Sequence, residues 1–137
     1  MSDNEALIRR WFEEVWNSGR SDAIDEMFAE EGIAHGLSGV DGEPLHGPAA
    51  FKVFHENFRN AFPDIVVTVE QTVSEGDLLA ARCTARGKHT GDGLGFAATH
   101  AQMEITGMAM VRIKGGKIVE AWNNFDFMAM HQQLGTL

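Results

Sequence analysis

The chain has 137 residues, of which 44% are apolar and 23% charged, and its formal net charge is -9 at neutral pH; this fits a single globular domain over residues 1–137 with a core of its own. An acidic chain without a basic cluster lacks the positive surface that nucleic acid or an anionic membrane needs, so neither is an expected partner. The lone cysteine, Cys83, allows no internal disulfide and suits a reducing cytoplasm, and no signal peptide or membrane-length apolar run is legible.

In chain order, Ser2-Asp3-Asn4-Glu5 forms a capping box. Leu7, Ile8, Trp11, Phe12, Val15 and Trp16 follow at helical spacing, until Asn17-Ser18-Gly19 stops the helix. Ser21-Asp22 opens a short second helix through Phe28, and residues 32–36 read as a short strand ending near His35. The Gly-rich stretch 36–47 reads as one long loop, of the kind that is often functional. Gly47-Pro48 begins a third helix with Phe51, Phe54, Phe58 and Phe62 as its apolar stripe.

After Pro63-Asp64 the period changes to two. Ile65, Val67, Val69 and Val73 share one face of a strand. Leu79, Ala81, Cys83 and Ala85 share one face of the next, so Cys83 reads as inert core. A flexible loop with Gly91, Gly93 and Gly95 leads to the run 102–113, which pairs with 117–126 through Gly115-Gly116, a two-residue hairpin signal. A last helix covers 127–134 and ends at Gly135. Helices segregated to one side of a curved antiparallel sheet make an α+β domain with a pocket between its layers.

The motifs AFPD (61–64), EGD (75–77), GKHTG (87–91), GGKIVEAW (115–122), the downstream Asp126 and QLG (133–135) occur in an order that resembles the SnoaL-like polyketide (ester) cyclases of the NTF2-like superfamily. The resemblance implies a cone-shaped α+β barrel with helices over the concave face of its sheet. It implies a homodimer or higher assembly, and closure of a ring in an apolar carbonyl substrate by an intramolecular aldol step without metal or cofactor. It places the acid/base at Asp126.

The residues themselves leave two roles open for Asp126, a helix N-cap or a general base. Strict alternation puts Asp126 on one face with Asn124, Trp122, Glu120 and Ile118, opposite Ile113, Val111, Ala109, Gly107 and Ile105. On that reading Trp122 and Asn124 line a pocket, with Trp11, Val15, Phe54 and Phe58 as its helical wall. The other face carries Met108, Met110, Val119, Ala121, Asn123 and Phe125, and its apolar character points to a subunit interface.

His35, His89 and His100 lie at strand ends or in loops, where an imidazole could support an oxyanion or return a proton. His46, His55 and His131 read as solvent-facing. No histidine pair has zinc-ligand spacing. The chain contains no tyrosine, so any enolate would have to be stabilised by other donors. Two functions follow as expectations: a cofactor-independent cyclase or related carbon-acid enzyme, or a non-catalytic ligand-binding or assembly module of the same fold.

Overall fold

A computed structural model describes residues 2–37 and 42–137, so residues 38–41 of the expected 36–47 loop lie outside the described residues. The first helix, α1 (Asp3–Arg10), begins at the expected cap, where Ser2 Oγ accepts the Glu5 N–H at 3.1 Å. From Trp11 to Asn17 it continues as a π-helix. The wider turn leaves late carbonyls without a partner in their own helix, and a later helix supplies donors for them.

α2 (Asp22–Met27) follows, without the side-chain cap expected from Ser21. β1 (Phe28–His35) is longer than the expected strand, and β2 (Leu45–His46) was not legible in the sequence. Then come α3 (Gly47–Ala61), β3 (Val66–Glu75), β4 (Leu78–Lys88), β5 (Gln102–Lys114), β6 (Lys117–Phe125) and α4 (Phe127–Leu134). The strands form one open six-stranded sheet in the order β2-β1-β6-β5-β4-β3. All neighbours are antiparallel except β1 and β6, which run parallel and make the sheet mixed. Among the described residues no helix is long and apolar enough to cross a membrane.

The helices cover one face of this sheet, its inner face. Leu79, Ala81, Cys83 and Ala85 of β4 and Ile105, Ala109, Val111 and Ile113 of β5 are buried there, as alternation predicts. β6 departs from alternation. Ile118 pairs with Ile113, but Glu120 pairs with Arg112, which leaves Val119 as one extra residue in β6. A bulge of this kind reverses the facing of every residue beyond it. Ala121, Asn123 and Phe125 therefore turn inward, opposite Val111, Ala109 and Gly107. Glu120, Trp122 and Asn124 turn outward, beside Arg112, Met110 and Met108. The face expected for Trp122 and Asn124 is corrected accordingly.

α3 locks the layers together. Its buried stripe is Phe51, His55, Phe58 and Ala61, so His55 is not solvent-facing as the sequence reading has it. His55 Nε2 donates to the Val15 carbonyl at 2.6 Å, and Arg59 Nη1 donates to the Trp16 carbonyl at 2.6 Å. Asn17 completes the join, pairing its amide with the Val67 backbone in both directions at 3.0 and 2.6 Å. These bonds satisfy the orphaned end of the first helix inside the core, where unpaired carbonyls would be costly.

Burial pushes the His55 imidazole below its ordinary value, opposed by the Val15 carbonyl. Burial does the same to His89, with His100 adding to it. A histidine that resists protonation when folded adds nothing above its unfolded pKa of about 6.5. Below that the unfolded chain binds more protons, so stability falls as pH falls. The melting temperature is expected to drop between pH 7.5 and pH 5.5. His55→Gln keeps an N–H for Val15 but does not titrate, so its drop is expected to be smaller. An identical pH profile for the two proteins would contradict this role for His55.

Candidate functional site

The layers do not close completely. The inner face carries small residues, Ala85, Ala109 and Ala121, where it meets the aromatic side chains of the helices. The unfilled space is an apolar cavity that opens to solvent at its rim. Trp11, Phe12 and Trp16 line it from the first helix, and Phe51, Phe54 and Phe58 from α3. Phe125 and Phe127 line it from the end of β6 and the start of α4. The aromatic wall is held rigidly by edge contacts such as Trp11 on Phe51, with centroids 5.1 Å apart, and Trp16 on Phe58 at 5.9 Å.

The polar inventory of the lining is short. Among the described residues no ionisable side chain lines the cavity. The lining residues whose side chains carry a polar group are Asn123, Trp11 and Trp16. Asn123 Nδ2 donates to the His35 carbonyl at 3.0 Å, tying β6 to the end of β1. Such a site can desolvate a flat apolar molecule and bond one or two of its polar atoms. It holds no charge with which to meet a charged one.

The expected site residues divide. Trp11, Phe54 and Phe58 line the cavity as expected. Val15 does not: it is wholly buried beneath the wall, and its carbonyl is taken by His55. Trp122 and Asn124 lie on the outer face because of the bulge at Val119. Asp126 ends β6 as the N-cap of α4, with its Oδ1 accepting the Ala129 N–H at 3.0 Å. The Asp126 side chain is exposed and borders a shallow outer depression with Arg82, Thr106, Met108 and Asn124. Its chain neighbours Phe125 and Phe127 both line the cavity, while Asp126 itself does not.

None of the three expected histidines lines the cavity. His35 lies on the outer face, where Nε2 meets Glu120 Oε2 at 2.7 Å and the ring stacks on Trp122. His89 is completely buried. Its Nδ1 accepts the Thr99 N–H at 2.9 Å, so its proton sits on Nε2, which has no partner among the described residues and lies near the rings of Phe62 and Phe96. His100 is exposed, with a left-handed backbone at φ 62°.

The loop that carries His89 and His100 is pressed against α3 rather than flexible. The Thr90 and Gly91 N–H groups both donate to the Ala61 carbonyl, and a Cβ at Gly93 would stand 1.9 Å from the Asn57 oxygen. The sequence reading also missed Asn123, Phe125 and Phe127 as lining residues. The available signal was the pair of apolar residues Ala121 and Phe125 on a face taken to be outer. Among the described residues no three His, Cys, Asp or Glu side chains come together as a metal site would need.

The profile of the SnoaL-like polyketide cyclase family matches residues 6–134. Among curated proteins the chain is 29% identical to the aklanonic acid methyl ester cyclase DauD of Streptomyces sp. (strain C5), over 98% of this chain and 83% of that one. It is equally 29% identical to the aklanonic acid methyl ester cyclase DnrD of Streptomyces peucetius, over 98% of this chain and 92% of that one. Among solved structures, wild-type IdmH from Streptomyces antibioticus superposes with a TM-score of 0.83 at 30% identity, covering 98% of this chain and 99% of IdmH.

Proposed function

Since the chain belongs to the SnoaL-like polyketide cyclase family, and is a cyclase by that membership, we propose that it closes a ring in a neutral, flat, polyketide-type carbonyl compound held in the cavity, with Asp126 as acid/base at the rim. The observation that carries this reading is the cavity itself, with its aromatic walls and no ionisable lining among the described residues. A free carboxylate entering it would lose its water and meet no cation, at a cost of several kcal/mol. An ester escapes that cost. The two Streptomyces relatives are named for a methyl ester, which agrees with a neutral substrate here.

In the proposed reaction the Asp126 carboxylate takes a proton from a carbon beside a carbonyl. The resulting enolate carbon attacks a second carbonyl of the same molecule and forms the new C–C bond. The alkoxide left on that carbonyl takes the proton back from Asp126, so the enzyme returns to its starting state without a cofactor. One carboxylate oxygen, Oδ1, is fixed by the Ala129 N–H, and the second has no partner among the described residues, leaving it to handle the proton. His35, His89 and His100 are given no part, because none of them lines the cavity or, as Asp126 does, stands in the chain between two residues that line it.

Asp126→Asn preserves the size of the side chain and its ability to cap α4. The expected outcome is an almost unchanged melting temperature with turnover of a neutral polyketide ester reduced about 10²–10⁴-fold. The corresponding free acid should be a much poorer substrate for the wild-type protein. Unchanged turnover by the Asn variant would reduce Asp126 to a cap. Equal use of acid and ester would contradict the uncharged site.

The reading extends to a homodimer through the outer face. Met108 and Met110 are 56% and 45% exposed there, beside Trp122 on the neighbouring strand. Phe125, expected on that face, lines the cavity and also borders the outer depression. Light scattering at micromolar concentration should give at least a dimer, and Met108→Lys should weaken it; a monomeric wild-type protein would contradict this.

A further inference from the structure

The geometry points to Asn123 as the residue that holds the substrate's carbonyl oxygen inside the cavity. This rests on the reading of the cavity as the substrate site. Asn123 is the only amide side chain in the lining among the described residues, so it determines where a polar substrate atom can be placed. A carbonyl oxygen buried against the remaining, aromatic wall would stay unpaired and bear the full cost of its desolvation.

One hydrogen bond orients the amide, and its surroundings place the backbone behind it. A backbone carbonyl can only accept, so the bond from Nδ2 to the His35 oxygen at 3.0 Å settles which end of the amide faces β1. That bond uses one of the two N–H groups and leaves the other to donate. Behind the residue, Gly36 adopts φ 85°, and a Cβ there would stand 2.0 Å from the Asn123 backbone oxygen. The two strand ends are therefore pressed together, which fixes the backbone that carries the amide. Across the sheet its register partner is Ala109, a small side chain that leaves space beside it.

The chemistry follows from this placement. When the carbon beside the carbonyl loses its proton, negative charge builds on the carbonyl oxygen. A fixed N–H aimed at that oxygen stabilises the charge more than the starting ketone and needs no reorganisation, as an oxyanion donor does. Loss of one such donor typically lowers kcat about 10²–10³-fold. The indole N–H groups of Trp11 and Trp16 are the competing donors, and the test separates them from Asn123.

Two probes of nearly equal shape are used, 2-ethylnaphthalene, which has no acceptor, and 2-acetylnaphthalene, whose carbonyl can only accept. Binding of each is measured by titration calorimetry to the wild-type protein, to Asn123→Ala and to the outer-face control Asn124→Ala. The expected result is equal affinity of all three proteins for 2-ethylnaphthalene. Affinity for 2-acetylnaphthalene should fall about fivefold to tenfold in Asn123→Ala alone, the worth of one net hydrogen bond. Equal affinity of wild type and Asn123→Ala for 2-acetylnaphthalene would overturn the assignment while leaving the cavity standing. Failure of the wild type to bind either probe would instead remove the cavity reading beneath it. If Asn123→Ala does not fold, the side-chain amide resonances of Asn123 in the wild type decide. They should move with 2-acetylnaphthalene and hardly move with 2-ethylnaphthalene, and the same response to both would overturn the proposal.

Discussion

Val119 has no partner on β5, and the facing of every later side chain in β6 depends on that one unpaired residue. Without it, strict alternation would carry Trp122 and Asn124 into the cavity and expel Ala121, Asn123 and Phe125. The cavity would then be narrowed by a tryptophan where it now has an alanine. With the bulge, β6 presents a methyl, an amide and a phenyl ring to the interior, and its bulkier polar groups lie on the outer face. A local disruption of the ladder costs little in a strand held on both sides, by β1 and by β5. Its consequence extends to the end of the strand, where the chain turns into α4 at Asp126.

The opposite wall depends on a different kind of join. The first helix changes to π geometry at Trp11, just where its aromatic residues reach the cavity. Its loose end is closed by His55 and Arg59, one turn apart on α3, and by its own Asn17, paired with the Val67 backbone of β3. The aromatic side chains of two helices are thereby held at fixed separation over a floor of alanines. A cavity survives in an otherwise close-packed core because both of its walls are braced from behind and do not collapse into it. A rigid apolar chamber with one or two polar groups can hold a flexible chain folded for ring closure, and chain entropy lost on binding is then not lost again at the chemical step.

Much of this was legible in the residues. The Ser2 cap, the Gly115-Gly116 hairpin, the phenylalanine stripe of α3 and the end of α4 at Gly135 follow from short-range rules of capping, turn geometry and period. The family likeness rests on motifs spread along the chain and gave the fold class. The bulge was not legible, because a single inserted residue has no compositional mark and the period of two resumes on either side of it. Its trace was nevertheless present: an outer face bearing Ala121, Asn123 and Phe125 is too apolar for its supposed position. His55 was hidden for a related reason. A polar residue on an apolar helix stripe reads as a solvent-facing exception until the partner, here a carbonyl 40 positions away in sequence, is known. His89 was misplaced because its loop reads as flexible from its glycines, whereas Gly91 and Gly93 serve close approach to α3.

The facing of β6 toward the cavity is the claim on which the site stands, and a crystal structure of the protein soaked with 2-ethylnaphthalene tests it most directly. The account predicts the naphthalene ring between Phe54 and Phe58 on one side and Ala109 and Ala121 on the other, with Asn123 in contact. Density for the ring against Trp122 and Asn124 on the outer face, with the inner cavity empty, would contradict it.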